Sequence, residues 1–273
     1  MIRLAWGYAV AAASTVFFGG TVAARSALRI RGFGNFAERA TARWAAGILW
    51  GSRVRVAMDH PERFGAGRSQ VLVSNHQSWF DVFSLAAALP VPFSFVGKKE
   101  LSRVPFLGHA WEKVGHVAID RADHQSALES LTAVDRQIRD GGRTIIMFPE
   151  GTRSPTGRLG RFKKGAFVMA IKAQVPVIPV ALVGSRRVMR KGSWRIRPGR
   201  VTIRVGHPID TSGLTLRDRD RLTQEARAAV AALREGGAAA GSLPEAAAPE
   251  PGPGTPSAGP DTATESEVAC RPS

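Results

Sequence analysis

The sequence predicts an α/β fold: a single layered domain with a mixed sheet flanked by helices, preceded by an N-terminal helical element associated with a membrane. Beyond residue 53, short β-branched runs alternate with longer stretches of helical spacing, the pattern of strands interleaved with covering helices. Ahead of them stands a run of 21 residues without a charge, 4–24. The last 38 residues turn to Ala, Pro, Gly, Glu and Thr with almost nothing to bury. The expected organisation is therefore residues 1–50 as membrane-associated helices, 51–235 as the folded domain and 236–273 as a disordered tail.

At about 1.5 Å per residue the run 4–24 nearly spans a hydrocarbon core of about 30 Å. Its many Ala, Gly, Ser and Thr residues make it only moderately apolar, so an interfacial helix pair with the amphipathic stretch that follows competes with a full span. A cleaved signal peptide is a third reading. Arg25, Arg29, Arg31, Arg39 and Arg43 all follow the run and place the body of the protein on the cytoplasmic face. Gly32 to Ala37 fit G-x-G-x-x-A, but a membrane-type helix rather than a strand precedes them, so a dinucleotide site is not expected.

Strands are expected over 54–58, 71–74, 93–97, 114–118, 144–148, 177–183 and 201–205. Leu128, Leu131, Val134 and Ile138 have helical spacing and end at Gly141-Gly142. A helix is expected over 162–173. Leu222, Ala226, Ala229, Val230 and Leu233 stripe a last one, with Thr215 and Asp218 as a capping box and Gly236 as its stop.

The formal net charge is +16; the last 38 residues hold five acids and one base, a net of −4, so the remainder carries +20. Such a surface suits nucleic acid, anionic lipid or a phosphorylated substrate. The one cysteine, Cys270, excludes a disulfide framework, a cysteine zinc site and a thiol nucleophile in the core, and a reducing compartment is expected.

Two polar clusters follow apolar strands. His76 and Asp81 come directly after Val71-Leu72-Val73. Five residues rotate by about 140° on an α-helix, so the two side chains meet only if His76 sits in the turn and Asp81 inside the next helix. That is the arrangement of a general base and its orienting carboxylate; the blander reading is a structural histidine and a helix cap. No Ser, Cys or Lys nucleophile is visibly tied to the pair, so if it is catalytic the attacking hydroxyl is expected to be the substrate's own. The second cluster, Phe148 to Ser154, is followed by Arg158, Arg161, Lys163 and Lys164. Glycine admits close backbone approach and arginine supplies a fork for phosphate, against the alternative of a solvated basic turn. Parallel sheets bind ligands at their carboxyl ends, which favours the functional reading of both clusters.

Four blocks in order, "NHQSWFD", "GKKELSRVPFLG" with "VAIDR", "FPEGTRS" and "VPVIPVAL", resemble those of the glycerolipid acyltransferases, and within them the 1-acyl-sn-glycerol-3-phosphate acyltransferases. The resemblance runs over about residues 53–208. It implies acyl transfer from acyl-CoA or another acyl thioester to the free hydroxyl of a lysophosphatidate, giving phosphatidic acid in phospholipid biosynthesis. It makes His76 the general base and Asp81 its partner, places Glu150, Gly151, Thr152 and Arg153 around the acceptor's phosphate, and adds Arg121 and Lys98 as further phosphate contacts. It implies neither a metal nor a cofactor. The partners expected are acyl-CoA, lysophosphatidic acid and an anionic membrane surface, with no nucleic acid. Other acceptors stay open: glycerol 3-phosphate, another lysophospholipid or a lyso-aminolipid. From a different class, a basic membrane-anchored module could grip nucleic acid through Arg186-Arg187 and Arg190-Lys191.

Overall fold

The computed structural model describes residues 2–30, 32–98, 108, 111, 113–119, 138 and 142–236. Most of the second block of the motif set (99–107 of 97–108), Arg121, most of the helix expected before Gly141 and the tail beyond Gly236 lie outside the described residues.

Two helices open the chain, α1 (Ile2–Ala27) and α2 (Phe33–Gly51), and pack as a hairpin. Glycines on α2 set their close approach: a Cβ built on Gly47 would lie 2.8 Å from Ser14 Oγ, and one on Gly51 would lie 2.6 Å from Val10 Cβ. The stretch Leu4–Ala27 has a mean hydropathy of 1.4 and is long and apolar enough to cross a membrane. Six of the nine exposed large apolar side chains among the described residues, Trp6, Val16, Phe17, Leu28, Ile30 and Trp50, belong to this hairpin, so its outer surface is unsuited to water. Its inner surface joins the body of the protein within one compact unit, Met1–Gly241. Trp44 of α2 meets Phe83 edge-on at 5.4 Å, and the Tyr8 hydroxyl donates to the Trp194 carbonyl at 2.6 Å.

The body is a seven-stranded mixed sheet: β1 (Val54–Asp59), β2 (Gln70–Ser74), β3 (Phe93–Lys98), β4 (Val117–Ile119), β5 (Thr144–Met147), β6 (Val177–Val183) and β7 (Gly199–Val205), in the order β1-β7-β6-β2-β5-β3-β4. Every neighbouring pair is parallel except β6 with β7. β2 lies at the centre, and its Val73 sits beside Met147 of β5 and Pro179 of β6. The carboxyl ends of these three strands therefore emerge side by side, and the loops that follow them share one edge.

Alternate residues of β2 serve two apolar layers, the mark of a sheet covered on both faces. Leu72 packs into the layer holding Leu49 of α2 and Phe80 and Leu85 of α3 (Trp79–Ala88). Val71 and Val73 turn to the other layer, with Phe167 and Ala170 of α4 (Gly165–Ala173) and Leu222, Ala226 and Val230 of α6 (Arg219–Glu235). A short helix, α5 (Ser185–Val188), lies between β6 and β7.

The strands fall where the β-branched runs place them, with one shift. The run 114–118 delivers a strand only at Val117–Ile119, because Val114 and Gly115 form a turn whose carbonyls accept from Arg143 Nη2 at 3.1 Å and Ser94 Oγ at 2.8 Å. The helix expected from residue 162 starts at Gly165, since Lys163 N is bound to the Pro149 carbonyl. Thr215 and Asp218 do form a capping box, but it closes a 3-10 turn, Leu216–Asp218, that leads into α6.

His116 is a buried histidine away from the site. Its Nδ1 accepts from Phe95 N at 3.3 Å, and its ring packs on Trp111 at 4.6 Å. Burial, helped by the nearby Arg143 cation, pushes it down to about 3. From pH 6.5 down to about 3 the unfolded chain therefore binds a proton at this residue that the folded protein refuses, and stability falls as pH falls, by up to about 1.4 kcal/mol per pH unit. Melting curves between pH 7.5 and 4.5 are expected to show a steeper decline for the wild type than for His116→Phe, the variant starting less stable because Phe95 N loses its acceptor. Equal slopes would exclude His116 as the titrating group.

Candidate functional site

β2 delivers the first cluster. After Ser74 the strand ends, and the buried side chain of Asn75 replaces strand pairing: its amide donates to the Leu182 carbonyl at 2.9 Å while its oxygen accepts from Leu182 N at 2.8 Å. This fastens the turn to β6 just before His76. Ser78 then caps α3, accepting from Phe80 N, and Asp81 occupies the third helical position. Asp81 Oδ2 accepts from Ser78 N at 2.8 Å, from Gln77 N at 2.6 Å and from His76 Nδ1 at 2.9 Å. The same carboxylate caps the helix and orients the histidine, so the two readings of the motif describe one interaction. Nδ1 is thus the protonated ring nitrogen, and Nε2 is left as an acceptor with no protein partner among the described residues.

The loop after β5 clamps the histidine from the other side. Phe148 stacks on the His76 ring, centroids 4.1 Å apart and planes 18° from parallel. Glu150 Oε1 accepts from His76 N at 2.7 Å, and Ser154 N donates to the His76 carbonyl at 2.7 Å. Both backbone groups of His76 are therefore fixed by residues more than seventy positions away. The second Glu150 oxygen accepts from Gly160 N at 2.8 Å. With each oxygen on a backbone N–H, this carboxylate holds two loops together.

Arg153 leans over the Trp79 ring, its guanidinium carbon 4.9 Å from the centroid. Burial pushes its guanidinium down from the ordinary arginine value, and the Asp81 carboxylate opposes that shift. Asp81 Oδ1 is buried without a hydrogen-bond partner. A desolvated cation with no ion pair of its own among the described residues is suited to an incoming anion. Around it, Lys191 Nζ donates to Thr152 Oγ1 at 3.0 Å. Lys163 lies over Gly151, which has φ 74°; a Cβ there would be 3.0 Å from Lys163 Cε, so glycine serves both the turn and the approach of the lysine.

Beside the cluster opens a cavity of about 560 Å³, walled by Trp79 and Phe80 of α3, Met189 and Trp194, and by residues of α1 and α2 such as Ala12 and Ile48. It is almost wholly apolar and runs from the start of α3 into the helical hairpin. Among the described residues, no group of three or more His, Cys, Asp or Glu side chains is placed to hold a metal ion.

Of the residues expected at the site, His76, Asp81, Glu150, Gly151, Thr152 and Arg153 come together. Lys98 is the last residue of β3, on the same carboxyl edge two strands from β2, and Arg121 lies outside the described residues.

A protein-family model described as Acyltransferase matches residues 55–183, from β1 through β6. A 1-acyl-sn-glycerol-3-phosphate acyltransferase from Pseudomonas aeruginosa is 31% identical over 188 residues, covering 68% of this chain and 72% of that protein. The chain belongs to the acyltransferase family. A plant relative of the same name from Limnanthes alba is 37% identical over 146 residues, 54% of this chain and 52% of its own length, so the chain spans about half of it. Among solved structures, the crystal structure of the 1-acyl-sn-glycerophosphate (LPA) acyltransferase PlsC from Thermotoga maritima superposes with a TM-score of 0.72 at 26% identity, covering 85% of this chain and 95% of that one.

In this acyltransferase-family chain several residues of the site carry no signal of their own in the sequence. Asn75 and Phe148 are visible only as motif letters, and Lys191 only as part of a basic run; their places depend on contacts 107, 72 and 39 residues away.

Proposed function

We propose that the chain transfers an acyl group from acyl-CoA, or another acyl thioester, to the free hydroxyl of 1-acyl-sn-glycerol 3-phosphate, giving phosphatidic acid on the cytoplasmic face of a membrane. The observation that supports this best is His76 itself: Nδ1 held by Asp81 at 2.9 Å, both backbone groups clamped by the loop that carries Arg153, and Nε2 open. Nε2 accepts the proton of the acceptor hydroxyl as its oxygen bonds to the thioester carbonyl carbon. Collapse of the tetrahedral intermediate breaks the carbon–sulfur bond, and the departing thiolate takes the proton from Nε2, so an ester and a thiol leave and the histidine returns to its starting state. A thiolate, with a thiol value near 8.5, is a good leaving group, and the reaction proceeds without metal or cofactor. His76 and Asp81 act as base and orienting partner. Arg153, with Thr152, Gly151 and Lys191 around it, receives the acceptor's phosphate, and Glu150 acts by positioning. The apolar cavity takes an acyl chain, and its opening toward α1 and α2 lets lipid arrive from the bilayer in which the hairpin's exposed aromatic and aliphatic side chains rest.

The test is release of CoA from palmitoyl-CoA by the full chain across a panel of acceptors: lysophosphatidate, glycerol 3-phosphate, other lysophospholipids and a lyso-aminolipid. Lysophosphatidate is expected to be used best; preference for another acceptor would reassign the substrate, and no release with any would reject the activity. In the same assay Arg153→Ala is expected to raise the acceptor KM by about 10- to 150-fold, the loss of a charge-assisted fork to phosphate, while the donor KM stays near wild type.

A further inference from the structure

Beside Gln77, the residue after His76, lies a second cavity of about 480 Å³, lined by Arg186, Arg187, Arg190 and Arg200. Resting on the reading of the chain as a thioester-dependent acyltransferase, we infer that this cavity holds the phosphorylated nucleotide end of a coenzyme A thioester, its diphosphate and its 3′-phosphate.

The cavity is built by the fold. β6 is followed by Gly184, which has φ 98°, and a Cβ there would overlap the Arg200 carbonyl oxygen at the start of β7, so only glycine lets the two strands close this wall. Gly157 closes the other: a Cβ there would lie 2.8 Å from Arg186 Cδ. Among the described residues none of the four arginines is paired with a carboxylate, and Arg186 Nε is buried without a hydrogen-bond partner. Four unpaired guanidinium groups repel one another, and a concave site lowers that cost by taking a polyanion.

Its place identifies the ligand. The wall shared with the reaction centre is Gln77, the residue after His76, whose amide donates to the Gly157 carbonyl at 2.9 Å. A lysophosphatidate has a single phosphate, for which Arg153 is already placed. The other substrate carries three phosphates at one end and a thioester at the other, joined by a flexible arm. The segment after β6 borders both cavities, with Met189 lining the apolar one and Arg190 the basic one. The acyl chain and the nucleotide of one donor are thus assigned to two cavities that border the same turn, the basic one at Gln77 and the apolar one at Trp79.

The test uses the full chain in detergent, with adenosine 3′,5′-bisphosphate as probe and the exposed pair Arg187→Gln/Arg200→Gln as variant. The bisphosphate is expected to compete with palmitoyl-CoA and not with lysophosphatidate. The double variant is expected to raise the palmitoyl-CoA KM by about 10- to 100-fold at unchanged acceptor KM and melting temperature, and to lose inhibition by the bisphosphate. The penalty should vanish with S-palmitoyl pantetheine, which lacks the nucleotide. An unchanged donor KM, an equal loss with the pantetheine thioester, a raised acceptor KM, or a loss confined to an acyl carrier protein donor would each overturn the assignment. A wild type that binds the bisphosphate through these arginines yet acylates no lysophosphatidate keeps the donor site and rejects the acceptor; turnover of lysophosphatidate with a donor KM indifferent to the double variant does the reverse.

Discussion

His76→Ala is expected to reduce acyl transfer by about 10² to 10⁴, the contribution of a positioned general base, in protein that stays folded. The side chain is 15% exposed, stacks on Phe148 and bonds through one nitrogen to Asp81, so its removal deletes few apolar contacts. The clamp on its turn survives, because Glu150 and Ser154 bind the backbone of residue 76 whatever its side chain. CoA release falling to background with the melting temperature and the affinity for a non-hydrolysable acyl-CoA analogue near wild type identifies the base. A structural histidine predicts the opposite: a lower melting temperature, with the folded fraction still turning over.

The separation of this site into legible and illegible parts follows from chain distance. His76 and Asp81 are five residues apart, and the strand-to-helix change between them can be read from Val71-Leu72-Val73 and the apolar spacing of α3, so their meeting follows from helix geometry alone. The α/β layering is legible for a similar local reason, as short β-branched runs interleaved with stretches of helical spacing, and the two apolar layers that β2 serves are its outcome in the structure. Glu150 is different. Its sequence context suggests a ligand contact, yet its oxygens reach His76 N and Gly160 N, a pairing that exists only because β2 and β5 are neighbours in the sheet. Strand order is a long-range property, and the pattern of apolar runs does not encode it. The arginine-lined cavity is hidden for that reason as well: Arg186-Arg187 and Arg190 show in the sequence as basic runs suited to nucleic acid, but only the antiparallel pairing of β6 with β7 brings Arg200 to them.

Asp81→Asn is expected to cost nearly as much activity as loss of the histidine, about 10² to 10⁴, with little loss of stability. The Asn oxygen can still accept from Gln77 N and Ser78 N, so the turn and the cap of α3 persist. What is lost is charge: the oxygen that Asn keeps can still serve Gln77 N, Ser78 N and His76 Nδ1, all of which meet Oδ2, but a neutral amide cannot balance the imidazolium that forms when Nε2 takes the proton. Asp81→Ala separates the two duties of the residue, because it removes the orienting group and the cap together and should lower stability by about 1 kcal/mol in addition. Were Asp81 only a cap, Asp81→Asn would be nearly silent and Asp81→Ala would act through stability alone. The coupling to His76 makes the distinction sharper. Two groups that act as a unit are not additive, so His76→Ala/Asp81→Asn should be no slower than His76→Ala by itself. A double variant slowed by the product of the two single effects would show that Asp81 serves the reaction by some route other than the imidazole, and the 2.9 Å contact between them would lose its mechanistic meaning.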